Sequence, residues 1–197
     1  MRVLLLARHG QSLFNVDHVV NGDPRLDRGL SPLGIAEGEK LARQIAGIAI
    51  DLCITSEFPR AQETARLALA AHAGTATIVD PDLNDIRIGE LEGDTLDAYH
   101  AWKHAHAPGD PFPGGESLDD AARRYAAAYE RILARDEETV LCVCHEIPVR
   151  YAVNAAAGSN RLDGPLHDVA NATPYVFDPA GLGRAVRHLH ELAGPAS

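Results

Sequence analysis

A three-layer α/β/α fold around a mostly parallel sheet of about six strands is predicted by three features of this sequence. Short apolar runs alternate with longer segments of helical periodicity, the pattern of strand–helix–strand units whose sheet is covered on both faces. Three of the runs (residues 3–7, 51–55 and 139–144) stop at polar residues, His9, Ser56 and His145. The 197 residues carry no internal repeat and no linker long enough to separate domains, so one domain spanning 1–197 is expected, with a partial cap over about 85–116.

The elements follow in order. Val3-Leu4-Leu5-Leu6-Ala7 reads as a buried strand, and Ser12 is placed to cap the helix after it. Ser31 at the N-cap and Pro32 at the first helical position open an amphipathic helix through Ile35, Leu41, Ala42 and Ile45. A strand over 51–55 leads to a helix over about 59–71 and a short strand near 76–79. Residues 94–116 hold a short helical piece and a turn-rich run, Pro108-Gly109-Asp110-Pro111 with Pro113-Gly114-Gly115. Ser117 with Asp120 resembles a capping box for a long helix to about residue 135. A strand over 139–144, a helix over 148–157 and a hairpin over 173–177 and 184–192 complete the chain, with His188 and His190 on one face of the last strand.

Composition narrows the function. A formal net charge of −10 argues against nucleic acid, which needs a basic face. Cys53, Cys142 and Cys144 are odd in number, and the last two are strand neighbours poorly placed for a bridge, so reduced core cysteines of a cytoplasmic protein are expected. The opening apolar run is too short to span a membrane and lacks a cleavage pattern.

The chemistry gathers at strand ends. In a parallel sheet the carboxyl ends share one edge, where ligands bind. Arg8 and His9, Arg60 one turn into its helix, and His145 therefore converge, and two imidazoles beside two arginines suit a phosphate. Gly10 lets backbone approach the site.

Arg8-His9-Gly10-Gln11-Ser12 with Asn15, Ser56 with Arg60-Ala61 and Glu63-Thr64-Ala65, and Val143-Cys144-His145 resemble the histidine phosphatase, or phosphoglycerate-mutase-like, superfamily. Leu30-Ser31-Pro32-Leu33-Gly34, Gly89-Glu90-Leu91-Glu92-Gly93 and Pro113-Gly114-Gly115-Glu116-Ser117 are similar to further segments of it. The resemblance implies covalent phosphohistidine chemistry with no metal or cofactor. His9 would be the nucleophile; Arg8, Arg60 and His145 would hold the phosphoryl oxygens with Asn15; Asn21 and Gly22 would add contacts. The proton donor's place is taken by Asp85, one methylene shorter than the family's usual Glu, with Glu90 and Glu92 as alternatives. Glu146 replaces a frequent Gly after the second His and either salt-bridges or meets a substrate amine or hydroxyl.

Competing motifs are weaker. Cys144 and Arg150 have the Cys-x5-Arg spacing of cysteine phosphatases, but Glu146, Ile147, Pro148 and Val149 suit no phosphate-wrapping loop. His100, His104 and His106 have metal-ligand spacing without an evident completing ligand. Glu63 is expected beside the site or exposed, and Tyr99 and Trp102 in the pocket wall or in local packing. The expected activity is hydrolysis of small phosphorylated metabolites by a monomer or homodimer. The alternatives are a phosphoglycerate-type mutase, disfavoured because the chain looks too compact, and a weakly active or inactive phosphate-ligand-binding regulatory module.

Overall fold

The computed structural model describes residues 1–193. In chain order its elements are β1 (Val3–Arg8), α1 (Leu13–Asp17), α2 (Pro32–Ile45), β2 (Leu52–Thr55), α3 (Pro59–Ala68), β3 (Ala76–Val79), α4 (Leu96–Ala105), α5 (Leu118–Leu133), β4 (Thr139–Cys144), α6 (Glu146–Ala156), β5 (Pro174–Phe177) and α7 (Pro179–Ala193). The sheet runs β3-β2-β4-β1-β5, parallel throughout except for β5, which pairs antiparallel with β1.

Alternation along the strands sorts the core into two layers. Leu4 and Leu6 of β1, with Val140, Cys142 and Cys144 of β4, face Tyr125 and Tyr129 of α5, Tyr151 of α6 and Leu189 of α7. Leu5 and Ala7, with Cys53, Leu141 and Val143, face Leu41 and Ile45 of α2 and Ala61 and Ala65 of α3. Leu6 is wholly enclosed, so truncation to Ala should cost about 2–5 kcal/mol. All three cysteines are free and buried.

The caps expected at Ser31 and Ser117 form: Ser31 Oγ accepts from the Gly34 N–H, and Ser117 and Asp120 close a capping box. Among the described residues the sheet has five strands, close to the expected number of about six. Residues 184–192, expected as the second arm of a hairpin, belong to α7. Leu182, Ala185, Val186, Leu189 and Ala193 recur at three- and four-residue spacing, and that helical stripe is buried against α5 and α6. His188 and His190 consequently diverge: His188 Nδ1 meets Glu191 and His190 Nε2 meets Glu130. The helix expected from 148 starts earlier, at Glu146, with Pro148 in its first turn, where a missing N–H is harmless.

Between β3 and α5 the chain runs over the carboxyl edge of the sheet, carrying α4. This excursion is pinned beneath by buried Glu116, which accepts from the Arg87 N–H at 3.0 Å and pairs with Arg124. Gly89 (φ +56°) lies so close to the Pro113 carbonyl that a Cβ would sit 2.1 Å from it, so no other residue fits this crossing. Among the described residues no helix is long and apolar enough to cross a membrane.

Candidate active site

His9 follows β1 and is 2% exposed. Its backbone is clamped from both sides: its N–H donates to the Cys144 carbonyl at 2.9 Å, and its own carbonyl accepts from Asn171 Nδ2 at 2.8 Å. The next residue, Gly10, packs against Gly34 of α2 at a distance that leaves a Cβ only 2.4 Å from the Gly34 carbonyl. This contact brings the amino end of α2 against the site. His9 Nδ1 lies 2.6 Å from the Gly10 carbonyl and so carries the proton, which leaves Nε2 as an acceptor. Arg60 Nε–H donates to that Nε2 at 3.1 Å.

Arg60, in the first turn of α3, is held on every side. Nη1 donates to Asn21 Oδ1 at 2.5 Å and Nη2 to the Asn21 carbonyl at 3.2 Å. Its guanidinium lies 4.2 Å over the Phe58 ring. Asp27, with a fully enclosed side chain, sits 3.4 Å from Nη1. His145, at the end of β4, approaches Arg60 Nη2 through Nδ1 at 3.4 Å, so its Nε2–H is free to donate to Ser56 Oγ at 2.8 Å. Asp85 Oδ2 completes the group, 3.8 Å from Arg60 Nη2 and 3.6 Å from His145 Nδ1.

Burial tunes these groups in opposite directions. Desolvation, reinforced by Arg60 and Arg8, pushes His9 well below the usual imidazole range, and desolvation followed by Arg60 does the same to His145. Desolvation raises Asp85 above an ordinary carboxyl despite the nearby Arg60. The site thus favours two neutral imidazoles and a carboxyl that keeps its proton to higher pH than usual. Arg8 donates through Nη1 to the Val169 carbonyl at 3.0 Å and pairs with Glu146 at 2.8 Å. Its buried Nε has no acceptor among the described residues, a donor that an anion would satisfy.

A pocket of about 170 Å³ opens over this group. A family profile described as the histidine phosphatase superfamily (branch 1) matches residues 4–191. The chain belongs to the histidine phosphatase superfamily. A protein of Methylobacterium sp. (strain 4-46) named 2,3-bisphosphoglycerate-dependent phosphoglycerate mutase is 34% identical, over 89% of this chain and 90% of that one. A Brucella melitensis protein of the same name is 33% identical over 80% and 82%. Among solved structures, the α-ribazole phosphatase of Shigella flexneri superposes with TM-score 0.64 at 29% identity, covering 79% of this chain and 80% of that one. A mycobacterial glucosyl-3-phosphoglycerate phosphatase complexed with VO3 superposes with TM-score 0.73 at 25% identity, over 89% and 90%. The chain matches 90% and 82% of these mutase-named relatives' own lengths, so compactness does not separate it from them.

The structure brings Arg8, His9, Asn15, Asn21, Gly22, Arg60, Asp85 and Glu146 to one pocket, with His145 immediately behind Arg60. Asn21 and Gly22 line it with their donors already engaged. Asn21 Nδ2 and the Gly22 N–H both donate to Glu92, at 2.6 and 2.8 Å. Asn21 therefore holds Arg60 through its oxygens. Asn15 Oδ1 is likewise taken by the Ser12 N–H at 3.0 Å, closing the capping box of α1. With Glu92 committed to Asn21 and Gly22, and Glu90 outside the pocket lining, Asp85 is the one of the three candidate acids that faces both His145 and Arg60.

The competing motifs come apart. Cys144 faces the Tyr125–Tyr129 layer, away from the pocket, while Arg150 lies on the pocket rim. His100 lines the pocket, but His106 stacks on Trp102 at 4.0 Å, and among the described residues no three His, Cys, Asp or Glu side chains group to hold a metal. Tyr99 lines the pocket and Trp102 packs on Phe112. Glu63 pairs with Arg66, at 3.9 Å, and does not line the pocket. No signal in the sequence marks Asp27, which sits in a loop without a motif, or Lys103 and Asp163, joined only by the fold.

Proposed function

We propose that this protein hydrolyses small phosphomonoesters through a phosphohistidine at His9. One observation carries the reading: a neutral His9, with Nε2 presented to Arg60, shares a pocket with a carboxyl whose burial lets it keep a proton. Nε2 attacks phosphorus, Arg60 Nε moves from Nε2 to a phosphoryl oxygen, and Arg8 takes another. The ester oxygen leaves with the proton of Asp85. Asp85, now ionised, accepts a proton from water; the hydroxide attacks phosphorus, frees His9 and yields inorganic phosphate. The transferred group is anionic and loosely bonded in flight, so Arg8 and Arg60 supply the positioning and charge that metal ions provide elsewhere.

The mutase names of the sequence relatives support a second reading, in which the phosphohistidine returns its phosphoryl group to a second position of the leaving group. Rapid-quench trapping with a 32P-labelled phosphomonoester tests both. Acid-labile label on His9 and stoichiometric free phosphate are expected. Isomerisation of phosphoglycerate that requires a bisphosphate primer and releases little phosphate would select the mutase. Binding of phosphate without label or turnover would select the binding module.

A further inference from the structure

The rim of the pocket carries two cations that the reaction leaves idle, Lys103 of α4 and Arg150 of α6. Both are engaged. Lys103 Nζ pairs with Asp163 Oδ2 at 2.8 Å and lies 5.5 Å over the Tyr99 ring. Arg150 Nη2 pairs with Asp163 Oδ1 at 2.9 Å, and its Nη1 pairs with Glu146 Oε1, also at 2.9 Å. The other oxygen of Glu146 pairs with Arg8. An unbroken chain of ion pairs therefore runs Arg8–Glu146–Arg150–Asp163–Lys103 from the inner end of the pocket to its rim.

The charges balance over the pocket as a whole. Four cations line the pocket, Arg8, Arg60, Lys103 and Arg150, and four carboxylates pair with them, Asp27, Asp85, Glu146 and Asp163. With Asp85 protonated, one positive charge is left uncompensated, at the inner end where the phosphate binds. A second anionic group on the same substrate would meet two rim cations already paired with carboxylates and would compete with Asp163 and Glu146 for them, Arg150 Nε alone lacking an acceptor among the described residues. The walls between the ends are apolar, formed by Val20, Ile86, Ile88, Leu96 and Ile147. The volume suits a small leaving group, since a cavity of about 150 Å³ accommodates benzene.

Resting on the phosphatase reading, we infer that Asp163 and Glu146 set the substrate class: by occupying Lys103 and Arg150 they select phosphomonoesters with a small, uncharged leaving group over those bearing a second anion, phosphoglycerates included. Asp163 is a specificity-determining residue that need not touch the substrate.

The test compares phenyl phosphate with carboxyphenyl phosphate, which differ by one carboxylate, at one fixed pH. Wild-type kcat/KM should favour phenyl phosphate by about tenfold, the scale of one unmatched charge in a partly buried site. Asp163→Asn frees Lys103 and should narrow that ratio by about five- to tenfold, while Asp163→Glu should preserve it. Equal or greater wild-type activity toward the carboxylated ester would overturn the inference, as would an unchanged ratio in a folded Asp163→Asn protein. If Asp163→Asn fails to fold, the wild-type comparison still decides. Absence of turnover with both esters would count against the phosphatase reading alone; calorimetric affinities for the two esters would then settle the selectivity.

Discussion

At the inner end of the pocket, His9, Arg60 and His145 are 2%, 3% and 0% exposed, and each leaves the end of a strand or the first turn of the helix after it. At the rim, Glu146 and Asp163 keep 32% and 39% of their side-chain surface, and Asp163 belongs to an irregular segment between α6 and β5. The inner groups are fixed by the sheet, whose register places Arg8 opposite Cys144 and Thr55 opposite Val143. The rim groups are fixed chiefly by one another. A buried end anchored in backbone can tune reactivity, because desolvation acts fully there. A rim whose carboxylates are partly exposed and whose charged ends are held by ion pairs can be rewired by one substitution. Chemistry and selectivity are thus assigned to different materials of one pocket.

That division is open to test from its strongest expectation downward. His9→Ala should lower turnover of every ester by at least about 10⁴-fold without altering the order of preference; steady-state kinetics on a circular-dichroism-checked variant decides. Substantial activity in His9→Ala would break the assignment of chemistry to the inner end. Asp85→Asn should cost about 10²–10⁴-fold with alkyl phosphates and much less with p-nitrophenyl phosphate, whose leaving group needs no proton. A near-silent Asp85→Asn beside a crippled Glu90→Gln or Glu92→Gln would move the acid elsewhere.

The pH dependence follows from the two opposed shifts. The productive state needs His9 neutral and Asp85 protonated. Lowering His9 extends its neutral form toward acid, and raising Asp85 extends its protonated form toward neutrality. The profile of kcat/KM should therefore peak on the acid side of neutrality and fall by about tenfold per pH unit beyond the Asp85 limb. Ser56→Ala removes the partner of the buried His145 Nε2, and the orphaned N–H should cost about 1–3 kcal/mol in urea unfolding. Prolonged EDTA treatment should have the least effect, leaving turnover unchanged. Collapse with rescue by zinc would recruit His100, His104 and His106 and undo the role given to the arginines.

Much of the inner end is legible in the sequence because period and punctuation agree there. The run over β1, the N-cap of α2 and the stop of β4 at His145 are each specified within a few residues, and the parallel sheet then brings Arg8, His9, Arg60 and His145 together. Residues 184–192 read as a strand only if the alternation of His188 and His190 is weighed above the apolar stripe Leu182–Ala185–Val186–Leu189, which packs on α5 and α6. Asp27 leaves no trace, since one acid in a polar loop looks alike whether it faces solvent or Arg60. The pairing of Lys103 with Asp163 joins residues 60 apart in sequence, in segments with no shared motif, so only the folded chain reveals it.

β1 lies between β4 and β5, strands that follow it by well over a hundred residues. As the chain emerges during synthesis at about 5–20 residues per second, roughly 7–25 s pass before the first of these partners is made. Throughout that interval the Val3–Arg8 run is an unpaired apolar strand, the kind of segment that associates with copies of itself or with a holding chaperone. His9 meanwhile stands in water as an ordinary imidazole. Its reactivity is conferred late, when β4 and then Asn171 close around it, so the nascent protein is at its most aggregation-prone while its site is still chemically inert.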